Sequence, residues 1–333
     1  MVIPYSHESV RLTGRWARLP DRAVTTSPGA YFEFAFEGES ATLRFDTLLN
    51  APVVPHLWIS LDGGDCTEVM LDRYIRIRTG RPGLHTGRVI FKSASEQSGR
   101  WFAPLTGAVQ FLGIRTEHPA GIAPDTRPLM EFIGDSITEG VVVDTDYREG
   151  MRPPFECEQL TLPYQNDACA TWAYLTAEAL DARPVIMGYG SVGATRAGCG
   201  SVPAAPDSYP FCFDGAPVEA PQADAVVINH GANDHAAAPQ VYAEAYARLL
   251  DKVRERSPQA GIFAVSAFCG THRDTLEKLV ADYNALHGTQ VHFINASEWI
   301  PPVPLHPNRN GHRTVAEHLA PMIRDILEQK EDR

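Results

Sequence analysis

The stretch "LMEFIGDSITEG", residues 129–140, decides how the whole chain is read. Its apolar run closes at Gly134 and Asp135, a pattern that describes a short strand buried on both faces. Ser136 therefore stands where a buried strand gives way to a loop or helix. A serine there is either an ordinary helix cap or a nucleophile held at the edge of a sheet.

Downstream the same grammar repeats. "PVIMGYG" (184–190), "ADAVVINHG" (223–231), "GIFAVSAF" (261–268) and "VHFINAS" (291–297) read as further apolar strands. Between and after them lie helical patterns: "NDACATWAYLTAEALDA" (166–182), with Asn or Asp as cap, "QVYAEAYARLLDKVRER" (240–256), a segment from Thr271 to about His287, and a last one from about Asn310. Strand and helix in regular alternation predict a parallel sheet with helices on both faces, a three-layer α/β domain over 129–333. Two Pro- and Gly-rich insertions, near 144–165 and 196–222, follow strand ends and are expected to wall a pocket.

Upstream of "EHPAGIAPDTRP" the period changes to two. Phe32, Phe34 and Phe36 alternate with Glu33 and Glu37, and Ile75 and Ile77 with Arg76 and Arg78. "LWISLDGGD" (57–65) carries a hairpin signal, and "GRVIFKSAS" (87–95) and "GAVQFLGIRTE" (107–117) read as strands. Residues 1–117 are thus expected to form a β-sandwich or jelly roll, joined by a linker at 118–128.

The 333 residues carry 29 Lys and Arg against 41 Asp and Glu, a net charge of −12 without a basic block, which argues against nucleic acid as a partner. No run approaches the ~18 apolar residues of a membrane span, and the amino terminus shows no export signal, so a cytoplasmic location is expected. The six cysteines show neither CxxC nor metal-ligand spacing. They read mostly as free thiols, with Cys199 and Cys212 as the one pair that could bridge in an oxidising compartment. No metal site and no cofactor is expected.

Three further segments at strand ends match Ser136 in kind. "GYGSVGATR" (188–196) is a glycine-rich turn that can aim an amide at a ligand, or merely a tight connection. "NHGANDH" (229–235) offers Asn233, otherwise a cap or turn residue; "PLHPNRNGH" (304–312) offers His306, otherwise a surface histidine. Together they supply a nucleophile, a base and donors for a developing oxyanion, the parts acyl transfer requires.

These four blocks, in this order, resemble the SGNH (GDSL-type) hydrolases: "GDS" with Ser136, "SVGAT" with Gly193, "GAND" with Asn233 and "HPN" with His306. With the preceding β-domain the chain looks further like the two-domain carbohydrate esterase family 2, whose members remove O-acetyl groups from plant polysaccharides. The resemblance makes Ser136 the nucleophile and His306 its base, with the Ser136 and Gly193 N–H groups and the Asn233 side chain as oxyanion hole. The family usually has an Asp three residues before the histidine; this chain has Val303. A backbone carbonyl in 299–304 or a carboxylate such as Glu298 would then orient the ring, or the enzyme works as a Ser-His dyad.

Asp135 is expected to satisfy backbone donors rather than to titrate, and His312 to begin the last helix. His230, His235 and Trp299 are candidate substrate contacts, and Trp101 and Trp172 candidate stacking platforms, each with a packing or capping alternative. The implied activity is an acetyl esterase acting on acetylated sugar, in a chain that could form a homo-oligomer. The alternatives are a lipase, thioesterase or arylesterase of the same superfamily, or a sugar-binding protein that has lost catalysis.

Overall fold

A computed structural model describes residues 1–50, 53–144 and 163–331. The first expected insertion, and Cys157 with it, falls almost wholly outside those residues. Among them the first 119 residues form two antiparallel sheets. One orders Ala17–Arg18, Ala23–Thr25, Val109–Arg115, Ser40–Phe45 and Tyr74–Arg78, with Val2–Pro4 added against Val109–Arg115. The other orders His118–Pro119, Tyr31–Glu37, Leu84–Ser93, His56–Leu61 and Thr67–Met70, with Val10–Thr13 added against Tyr31–Glu37.

The period-two reading explains why these sheets pack. Phe32, Phe34 and Phe36 point inward from one sheet and meet Leu43, Phe45 and Phe111 from the other; the Phe32 and Phe111 rings stack at 3.9 Å. Glu33, on the opposite face of its strand, pairs with Arg11 and Arg88. The expected hairpin turns at Asp62 and Gly63, both with positive φ. The segment expected as a linker is partly sheet: His118 and Pro119 pair with Glu37 and Phe36, and Asp125 is paired with Arg127.

The second half is built on a five-stranded parallel sheet of β1 (Leu129–Gly134), β2 (Arg183–Gly188), β3 (Ala225–Asn229), β4 (Gly261–Val265) and β5 (Val291–Ile294), ordered β2-β1-β3-β4-β5. Among the described residues the helices are α1 (Ser136–Glu139), α2 (Trp172–Ala179), α3 (Ala205–Ser208), α4 (Pro239–Arg256), α5 (Arg273–His287) and α6 (Arg309–Glu331). Alternate strand residues serve opposite faces: Phe132, Val227 and Phe263 pack with α2 and α6, while Ile133, Ile228 and Ile262 pack with α4 and α5. α2 is shorter than its apolar pattern, because Asp167 caps a separate 3-10 turn at Ala168–Ala170 and Thr171 starts the helix proper. Trp172 is fully buried between Phe132 and Phe268, which removes it as a stacking platform.

The two halves meet through a polar seam. The Arg15 guanidinium, with no exposed surface, donates to Glu131 at 2.8 Å and to the carbonyls of Tyr209 and Phe211. Tyr209 in turn donates its hydroxyl to the second Glu131 oxygen at 2.9 Å. The 196–222 insertion therefore lies against the sandwich: Gly200 accepts from the Arg100 N–H, and the Asp214 N–H reaches the Trp101 carbonyl. Trp101 packs edge-on to Phe211 in this seam, 5% exposed, and is not a sugar platform. Cys199 and Cys212, both within the insertion, are unbridged. No helix among the described residues is long and apolar enough to cross a membrane.

A buried carboxylate stripped of its partner is strongly destabilising, by about 3–5 kcal/mol. Arg15→Met leaves Glu131 only the Tyr209 hydroxyl and the more distant Arg256 guanidinium, 3.7 Å away; it is expected to lower unfolding stability by up to that amount, and Arg15→Met/Glu131→Met to recover part of it. Urea unfolding of both variants checks this, and equal stability of single and double variants would contradict it.

Candidate active site

In a β2-β1-β3-β4-β5 sheet the chain reverses its winding between β1 and β3, and the crevice outside the strand carboxyl ends at that point is where ligands bind. Ser136 sits there. The helix cap is not the serine but its neighbour: Asp135 is the N-cap of α1, its Oδ1 accepting the Ile137 N–H at 2.9 Å. Ser136 is thus the first residue of the turn, and its hydroxyl is left for another partner. The turn can sit so close to β2 because Gly188 lacks a side chain; a Cβ there would lie 2.5 Å from the Glu139 nitrogen.

The partner is His306. Its Nε2 lies 2.8 Å from Ser136 Oγ, although the two residues are 170 positions apart. Ser136 is buried and His306 half-buried, so the pair has one side packed and one side open. With Nε2 unprotonated, the imidazole accepts the hydroxyl proton, the arrangement that activates a serine. Val303 is exposed, as is Glu298, whose charge acts on Arg273.

The oxyanion donors are arranged differently from the expectation. The Gly193 N–H points to the Arg196 carbonyl at 3.1 Å, closing a turn. Gly193 is needed for another reason: a Cβ would fall 2.6 Å from Asp234 Oδ1. Asp234, which nothing in the sequence sets apart from the other polar residues of its block, anchors this loop by accepting from the Ala194 and Thr195 N–H groups at 3.0 and 2.8 Å and from the Thr195 hydroxyl at 2.6 Å. Asn233 does face the site. Its amide donates to Asp135 Oδ2 at 3.2 Å and to the Val192 carbonyl at 3.1 Å. The Ser136 N–H opens the turn, where no intrahelical acceptor exists for it.

The remaining candidates divide. His230 is fully buried, with neither ring nitrogen bonded to any described residue and its pKa pushed down to about 4 by burial, so it cannot touch substrate. His235 is exposed. Trp299 is half-buried, with one face of its ring stacked on His318 at 5.4 Å. His312 lies in the first turn of α6, as expected, but inward: its Nδ1 accepts the Trp172 N–H at 3.0 Å, and burial holds its pKa near 3. Among the described residues no cluster of three or more His, Cys, Asp or Glu side chains is arranged to hold a metal ion.

A hydroxyl poised against an imidazole, at the carboxyl edge of this sheet and beside a side-chain amide, is a site suited to attack on an ester carbonyl. The chain belongs to the GDSL-like lipase/acylhydrolase family, whose model matches residues 132–314, and so to the carboxylic ester hydrolases. No curated protein matches the sequence. Several solved structures share the fold over nearly the whole length. A family two carbohydrate esterase from Cellvibrio japonicus superposes with a TM-score of 0.80 at 20% identity, covering 98% of each chain. A carbohydrate esterase family 2 enzyme with a carbohydrate binding domain, from Corynascus thermopiles (Myceliophthora fergusii), gives 0.76 at 24% identity, covering 96% of this chain and 100% of that one. An acetyl xylan esterase from the rumen bacterium Butyrivibrio proteoclasticus gives 0.76 at 18%, covering 97% and 96%.

Asp135 was expected not to titrate. The structure buries it completely, and that desolvation, aided by the charges of Asp234 and Glu139, raises its pKa to about 7. An acid whose folded pKa exceeds its unfolded one binds more protons when folded, so its contribution to stability falls as pH rises from about 4 to about 7. Asp135→Asn removes that slope. The stability difference between the variant and the native protein is expected to shift in favour of Asn across this window, read by urea unfolding at each pH; a pH-independent difference would contradict it.

Proposed function

We propose that the protein is a serine esterase that removes O-acetyl groups from carbohydrate through an acyl-serine intermediate. In this reading a three-layer SGNH domain, carried beside an amino-terminal jelly roll, performs the chemistry. The observation that carries it is the 2.8 Å contact between Ser136 Oγ and His306 Nε2. Support for the substrate class comes from the solved structures that share both halves of the chain and are carbohydrate esterases or an acetyl xylan esterase.

His306 takes the Ser136 proton as Oγ attacks the acetyl carbonyl, and the charge gathers on the carbonyl oxygen. The Ser136 N–H and one Asn233 amide hydrogen, given over from Asp135 or the Val192 carbonyl, stabilise that oxygen. His306 then returns the proton to the sugar oxygen as the C–O bond breaks, leaving acetyl-Ser136. Water, deprotonated by the same imidazole, attacks the acyl carbon, and His306 returns that proton to Ser136 Oγ as its bond to the acyl carbon breaks and acetate leaves.

Acetate release from acetylated xylo-oligosaccharides tests this directly. The native protein is expected to release acetate, and Ser136→Ala to lose turnover by about 10⁴-fold or more. Activity that rises with acyl length would point instead to a lipase or thioesterase. Binding of the sugar without release by either protein would favour a non-catalytic sugar-binding role.

A further inference from the structure

Glu139 closes the helical turn that Ser136 opens, and it is buried. One of its carboxylate oxygens accepts the Gly190 N–H at 2.7 Å; the other takes Nη1 of Arg100 in an ion pair whose members are each 1% exposed. Arg100 does not come from this domain. It belongs to residues 94–108, the loop joining two strands of the amino-terminal sheets, and it is aligned by its own contacts. Nη2 donates to the Ser95 carbonyl at 2.8 Å and the Arg100 N–H to the Gly200 carbonyl at 3.2 Å.

Gly190 begins the loop that carries Val192 and Gly193. The Val192 carbonyl is one of the two acceptors that hold the Asn233 amide beside the nucleophile. A continuous path of hydrogen bonds and chain therefore runs from Arg100 through Glu139 and Gly190 to Val192 and Asn233. Burial and the nearby Glu96 push the Glu139 carboxyl upward, and the Arg100 guanidinium opposes them. Without that guanidinium the carboxylate would be buried with no countercharge, and would take up a proton or admit water. Either change weakens the acceptor that fixes Gly190.

We infer that Arg100 is a positioning residue for ester hydrolysis: through Glu139 it holds the 190–193 loop, and with it the Asn233 amide, where the oxyanion needs them. The amino-terminal sheets then complete the active site from behind, without touching substrate. This rests on the serine-esterase reading, and misplacement of a reacting group by about 1 Å costs on the order of 10²-fold in rate.

The test uses the full chain, with Ser136 titrated by a fluorophosphonate so that turnover is expressed per reactive serine. Arg100→Met is expected to lower kcat per titrated site roughly 10- to 100-fold with KM changed little. Arg100→Met/Glu139→Gln should recover part of the loss, because glutamine, though a weaker acceptor for the Gly190 N–H than the paired carboxylate, carries no charge that draws water into the site. Arg100→Lys, which keeps the charge but not the forked geometry, should fall between, and it carries the test if the Met variant does not fold. Unchanged kcat per titrated site in the folded variants, whatever their melting temperature, would overturn the inference and leave Arg100 a structural residue only. A native protein whose Ser136 does not react with the fluorophosphonate would instead remove the serine-esterase reading, and this inference with it.

Discussion

Two carboxylates bracket Ser136, Glu131 in β1 and Glu139 at the end of α1, and both are buried. A buried acid in a strand or turn of this kind is tolerable only when paired and hydrogen-bonded. Each is paired with an arginine from the first 117 residues, Arg15 or Arg100, and neither arginine has more than 1% of its surface exposed. Arg256 of α4 adds a more distant contact to Glu131, at 3.7 Å, so the strand–turn unit that presents Ser136 draws most, but not all, of its countercharge from the first half of the chain. That dependence makes the two halves one functional unit. The amino-terminal sheets are part of the support of the site and not an appendage to it.

The hydrogen bonds around the serine then follow from local geometry. Asp135 takes the cap position, which leaves Ser136 Oγ for His306. Glycines at 188 and 193 allow α1 and Asp234 to pack directly against backbone, so the loops at the ends of β2 and β3 converge on the turn. Asp234 and Glu139 each fix one end of the 190–195 loop, by different donors. The cluster of Asp135, Glu139 and Asp234 behind Ser136 concentrates negative charge in a desolvated place. This is the physical reason the Asp135 carboxyl is pushed to about 7 and sits close to protonation at neutral pH.

Much of this was legible in the sequence. Period-two alternation at Phe32, Phe34 and Phe36 marks a half-buried antiparallel strand, and continuous apolar runs between helical stripes mark the parallel sheet; both follow from which faces are covered. Ser136 and His306 could be named because each follows a strand end in a block of distinctive residues. The donors could not be assigned so well, because a backbone N–H has no sequence signature and a turn can claim it, as Arg196 claims that of Gly193. The seam was missed altogether. Its arginines lie in irregular segments, "TGRW" and "SGRW", where nothing periodic marks them. The legible clue was on the other side: Glu131, an acid within an otherwise apolar strand, required a cationic partner from elsewhere in the chain. The inward ring of His230 was not legible either, because polarity does not reveal which way a side chain faces.

Hydrolysis through Ser136 requires a covalent bond between its Oγ and the acyl group. Rapid acid quenching of the native protein during turnover of an acetyl ester, followed by peptide mass spectrometry, measures this most directly. An acetyl adduct is expected on the peptide containing Ser136, formed at a rate no slower than acetate release. Acetate released with no adduct on Ser136, or with an adduct on another residue, would contradict it.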